Sequence, residues 1–111
     1  MFAVAVSRRI PLLTTNLVVA EVHRFLLFHV GIQAAAHMID RIDASPLVTI
    51  EFAGRAHHQV ARAWLARLPD QRISYTDAVS FAVMETARCT IALSFDKDFV
   101  PAGFRLWQYG G

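Results

Sequence analysis

Cysteine is nearly missing from this sequence: Cys89 is the only one among 111 residues. No internal disulfide can form, so stability must come from a packed core, and a reducing cytoplasm is the expected compartment. Long apolar runs are missing too. None approaches the ~20 residues that a bilayer-spanning helix needs, which excludes a transmembrane helix and predicts a protein with no membrane role. At the start, Met1 to Arg9, the cations follow the apolar stretch, the reverse of a secretory signal. Repeats, low-complexity tracts and linkers are absent, so a single domain over 1–111 is expected. The 55% apolar content excludes disorder. A chain of this length can bury roughly two-thirds of its unfolded surface.

Lysine is almost absent as well. Lys97 is the only one, and the other ten of the eleven cations are arginines, whose planar fork of donors suits phosphate and carboxylate. The formal charge is only +2. If Glu21, Asp77, Asp96 and Asp98 share one site, the rest of the molecule keeps eleven cations against five acids. That layout, a cationic body around an acidic pocket, fits a metal-dependent enzyme acting on polyanions. A solvated surface rich in arginine for compositional reasons would look the same.

The remaining pattern alternates strands and helices. Pro11 to Thr15 is an apolar run ending in hydroxyls and reads as a buried strand. Asn16 offers an N-cap to a helix over Leu17–Val30, with Gly31 at its end. Val18, Val22, Phe25, Leu26 and His29 follow 3/4 spacing there, with Glu21 and Arg24 on another flank. A second helix spans Gln33–Ala44 and stops at Ser45-Pro46. Leu47–Phe52 is β-branched and reads as a strand. A helix over Ala53–Leu68 should bury Ala56, Val60, Trp64 and Leu68, before Pro69-Asp70 ends it. Ser74 or Thr76 caps the next helix, Asp77–Arg88. Thr90–Phe95 and Phe104–Gln108 read as the last strands. The fold class expected is α/β with a mostly parallel sheet.

Three acids fall at structural transitions. Glu21 lies in the helix after the first strand, and Asp77 in the first turn of its helix, where the macrodipole favours a carboxylate. Asp96 directly follows a strand, where open α/β sheets place their sites. Clustered carboxylates repel, so such a group in a cleft needs a cation. Oxygen-only ligands, with no cysteine and no histidine at ligand spacing, suit Mg2+ or Mn2+ rather than zinc. Such an ion generates hydroxide from water and stabilises charge on a phosphodiester. Each acid also has a plain structural reading: Asp77 as a helix start, Asp96 and Asp98 as a turn, Glu21 as a solvated flank. Spacing alone leaves the choice open.

Three blocks carry a resemblance. Thr14-Thr15-Asn16-Leu17-Val18-Val19-Ala20-Glu21-Val22, Ile73-Ser74-Tyr75-Thr76-Asp77-Ala78-Val79-Ser80-Phe81-Ala82-Val83-Met84 and Ser94-Phe95-Asp96-Lys97-Asp98-Phe99 closely resemble PIN-domain proteins, above all VapC-type toxins of toxin–antitoxin pairs. The likeness runs from about Ile10 to Trp107, and its middle block is the most specific. It implies a PIN-like three-layer fold, with helices flanking a mostly parallel sheet, and a Mg2+- or Mn2+-dependent ribonuclease. By motif, Glu21, Asp77 and Asp96 match the family's second, third and fourth acids, and Asp98 an additional one in the same turn. Thr14, Thr15 and Thr76 match hydroxyl positions near the pocket that orient a water or an acid. The resemblance also implies a homodimer, an RNA substrate and a VapB-type antitoxin as partner.

One family feature has no counterpart. The family opens on an apolar strand ending in aspartate, whereas residues 1 to 20 here contain neither Asp nor Glu. The expected fold is therefore an N-terminally truncated version, with a gap at the centre of the sheet that Phe2–Ser7 fills without a carboxylate, or that neighbouring strands or a second copy cover. Mg2+ tolerates poor geometry badly, so cleavage should be weakened or lost. A start upstream of Met1, a split gene and a short functional variant all fit, as does a non-catalytic remnant that binds antitoxin or RNA.

The other polar residues read mainly as structural. His57 and His58 are adjacent on a helix and cannot chelate as an i, i+4 pair could. His29 falls in an apolar stripe and is expected in the core, as are Phe25 and Trp64, while His37 reads as a solvated flank. Arg8, Arg9, Arg24, Arg55, Arg62, Arg67 and Arg72 are all able to hold RNA phosphates, and the sequence does not choose among them.

Overall fold

A computed structural model describes residues 11–87 and the backbone of Ile91–Ala92 and Arg105–Leu106. Its elements are β1 (Leu12–Thr15), α1 (Asn16–His29), α2 (Ile32–Ala44), β2 (Val48–Glu51), α3 (Arg55–Arg67), α4 (Tyr75–Thr86), β3 (Ile91–Ala92) and β4 (Arg105–Leu106). The described strands pair as two parallel couples, β1 with β2 and β3 with β4. The chain divides into two compact units between Phe52 and Ala53. Phe2–Ser7, Cys89, Asp96 and Asp98 lie outside the described residues, as does most of each of the two last predicted strands.

In the first unit, β1 runs straight into α1 without a loop. The expected cap at Asn16 is displaced by one: Thr15 is the N-cap, and its Oγ1 accepts from the Val18 N–H at 3.2 Å. The strand's last hydroxyl thus serves as the helix's first acceptor, which is why a β-branched residue can end one element and start the next. In the β1–β2 register Leu12 faces Val48 and Thr15 faces Glu51. Only Thr15 on β1 is buried, so the strand is not the fully buried one its composition suggested; Leu13 stands 37% exposed.

α1 buries no residue, and Phe25 is 57% exposed rather than in the core. His29 is likewise at the surface, because its ring stacks on Phe25 at 4.3 Å and its Nδ1 bonds to the Phe25 carbonyl at 2.9 Å. A local i, i+4 partnership therefore replaces burial. α1 and α2 meet at Gly31, whose φ of +147° is open only to glycine at little cost. Its N–H donates to the Leu26 carbonyl at 2.8 Å and closes the end of α1.

In the second unit the core is the packing of α3 against α4. Ala78, Val79, Phe81, Ala82, Val83 and Met84 are buried on α4, and Ala61 and Trp64 on α3. Ala56, expected inward, is exposed in the first turn of α3, and the buried residues of that helix are Ala61 and Trp64. Trp64 meets Phe81 edge-on at 5.4 Å, lies under the Arg67 guanidinium at 4.2 Å, and donates from Nε1 to Glu85 at 3.0 Å. Burial of a side chain the size of Phe81 contributes about 2 to 3 kcal/mol. This core holds the start of α4, and with it Asp77.

Candidate active site

The first turn of α4 is built by Ser74. Its Oγ accepts from the Asp77 N–H at 3.1 Å and satisfies one of the four donors a helix start leaves open. Of the two caps the sequence allowed, Ser74 is therefore the one used, and the helix begins two residues earlier than expected. Thr76 and Asp77 occupy the second and third helical positions, both half-buried. Asp77 is the only acid in that turn, the end of the helix where the dipole favours a negative side chain. Immediately behind it, the Ser80 hydroxyl donates to the Thr76 carbonyl at 3.1 Å.

Glu21 sits on α1, exposed, six residues after the Thr15 cap. Thr14 is half-buried on β1 and Thr15 is buried, 2% exposed. The Thr15 hydroxyl is committed to the cap, so its first task is to fix where α1, and hence Glu21, begins. Glu21 belongs to the first unit and Asp77 to the second; Asp96 and Asp98 are outside the described residues. Among the described residues no three His, Cys, Asp or Glu side chains form a group able to hold a metal ion.

The two adjacent histidines have separate partners. His57 Nδ1 accepts from the Gly54 N–H at 3.0 Å, closing the start of α3. His58 Nδ1 lies 2.9 Å from the Tyr75 hydroxyl, and the two rings are tilted at 5.7 Å. The His58–Tyr75 pairing was not expected from sequence; the available signal was Tyr75 at the head of the helix that carries Asp77. Glu51, at the carboxyl end of β2 in register with Thr15, is a further half-buried carboxylate that the sequence had marked only as strand.

A search of family models matches the PIN domain over residues 2–104. The chain belongs to the PIN-domain family. Within it the chain is of the VapC toxin type. It is 35% identical over 92 residues to the 23S rRNA-specific endonuclease VapC20 of Mycobacterium tuberculosis, in strains CDC 1551 / Oshkosh and ATCC 25618 / H37Rv, covering 83% of this chain and 70% of that protein. The crystal structure of M. tuberculosis VapC20, described as a sarcin-ricin loop cleaving toxin, aligns with a TM-score of 0.77 at 34% identity, over 85% of this chain and 72% of that one. The expected PIN-like α/β fold is therefore the observed one. VapC nucleases of this family generally depend on a divalent metal, and no described helix is long and apolar enough to cross a membrane.

Proposed function

We propose that this chain is a Mg2+- or Mn2+-dependent RNA endonuclease of the VapC class, built as one PIN-like domain. Glu21, Asp77 and Asp96 are its metal carboxylates, and Asp98 supports them. The observation that carries the reading is the likeness to VapC20 over 92 residues, a stretch that includes the helix start presenting Asp77. The donor set fits a hard divalent ion, because it offers only carboxylate and hydroxyl oxygens. Such an ion, when bound, supplies an acidified water and offsets charge building on the phosphodiester. The chain's own contribution is positional. Ser74 fixes the Asp77 backbone at the head of α4, Thr15 fixes the start of α1 for Glu21, and Thr14 and Thr76 offer hydroxyls to orient a water or a carboxylate. The substrate inferred from the relatives is 23S rRNA, the natural inhibitor a VapB-type antitoxin, and the compartment the cytoplasm. The exposed Val22, Phe25 and Phe28 on α1 support self-association as a homodimer.

The test is incubation with an rRNA fragment containing the sarcin–ricin loop, under Mg2+ and under Mn2+. Metal-dependent cutting is expected, lowered at least about 100-fold by Asp77→Asn. Cutting that survives Asp77→Asn, or that proceeds equally in EDTA, overturns the reading.

A further inference from the structure

The second unit contains an open cleft of about 440 Å³. It is lined by Ala53, Gly54, Arg55, His58 and Tyr75, where the start of α3 meets the start of α4. It is shallow and open, and its three long side chains are all exposed and polar at their tips. Tyr75, 45% exposed, is held against His58 at the surface, which keeps its ring open to a ligand.

The electrostatics of α3 select the ligand. Its thirteen residues carry three arginines, two histidines and no acid. Arg55, His58 and Arg62 recur at the three- and four-residue steps that place side chains on one helical face, and all three are exposed. Arg55 and Arg62 thus flank His58 along α3, and the two guanidinium groups give this face the charge expected of a surface that follows a polyanion. Within the cleft the Tyr75 hydroxyl and His58 Nδ1 share a hydrogen bond at 2.9 Å, so Nε2 is the ring nitrogen that Tyr75 does not engage. Arg55 adds a charged fork at the same helix end. Tyr75 contributes an aromatic face, and it lies two residues ahead of Asp77 in the same helical turn.

We propose that this cleft, at the head of the helix that carries Asp77, is an RNA subsite in which Arg55 and His58 bind a backbone phosphate and the Tyr75 ring stacks on the neighbouring base. It rests on the nuclease reading for its substrate class and extends it by naming the groups that position the strand. Stacking of single-stranded bases on aromatic rings is the usual way in which proteins hold splayed RNA.

The experiment separates the two claims by measuring binding and cutting independently. Binding of a fluorescent sarcin–ricin hairpin RNA to the full chain is followed by anisotropy in EDTA, over a range of salt. Cutting of the same RNA is followed with Mn2+. Arg55→Gln should weaken binding about 5- to 10-fold and lower the salt slope by about one. Tyr75→Leu should weaken it at least about 5-fold with the slope unchanged, whereas Tyr75→Phe, which keeps the ring, stays within about 2-fold of the unchanged protein. Arg67→Gln is the control, since its guanidinium covers Trp64, and it should change binding less than about 2-fold. Unaltered affinity in both Arg55→Gln and Tyr75→Leu overturns the subsite, as does a loss in Arg67→Gln equal to that in Arg55→Gln, which would mean diffuse attraction. If binding responds as stated but no RNA is cut, the nuclease reading fails while the subsite stands. If RNA is cut and the cleft variants bind normally, the reverse holds.

Discussion

Replacing Ser74 by alanine isolates the device that sets Asp77 in place. Ser74 is exposed, so truncating it opens no cavity, and the loss is confined to the acceptor that the Asp77 N–H now reaches at 3.1 Å. Removal of such a cap costs about 1 kcal/mol. For a chain of this length that corresponds to a melting temperature lower by about 4 °C. Ser74→Asn keeps a side-chain acceptor at the same position and should recover most of the loss, to within about 0.3 kcal/mol. The assay is urea denaturation followed by circular dichroism, with thermal melts alongside. Because the same turn carries Thr76 and Asp77, RNA cutting by Ser74→Ala should fall by more than the unfolded fraction explains, and Ser74→Asn should restore it. An alanine variant as stable as the parent, or an asparagine variant as damaged as the alanine one, would refute the capping argument.

Three other outcomes follow from the packing. Gly31→Ala should cost about 1 to 3 kcal/mol in urea unfolding, although no atom lies within 4 Å of the added methyl, because the +147° backbone itself resists a side chain. Trp64→Phe removes the donor that reaches Glu85 and part of the ring under Arg67, and should lower stability by about 1 to 2 kcal/mol; a neutral result would mean that the Glu85 bond contributes nothing. Phe81→Ala empties the contact between α3 and α4 and should cost about 3 to 5 kcal/mol, enough to unfold much of the chain at 37 °C.

Much of this arrangement was legible in the residues. Ser45-Pro46 and Pro69-Asp70 end their helices as their backbone restrictions require, and Trp64 is buried as its spacing implied. The failures have local causes. Asn16 lost the cap to Thr15 because β1 has no loop after it, so the acceptor is drawn from the strand itself. Phe25 and His29 obeyed helical periodicity yet lie at the surface, stacked on each other, since periodicity shows which residues share a face and not what covers that face. The His58–Tyr75 contact joins positions 17 apart, and no rule of spacing predicts it. The same holds for the carboxylates: motif order pointed to Glu21, Asp77 and Asp96, while their meeting depends on the placement of separate elements. Asp77 is the one whose backbone position the structure explains, through Ser74 and the head of α4.

Mn2+ soaked into crystals of this chain, and located by its anomalous scattering, gives the most direct reading of the acidic site. The account predicts one ion held by carboxylate oxygens of Asp77, Glu21 and Asp96. Saturating Mn2+ that leaves the Asp77 carboxylate without a metal neighbour would contradict it.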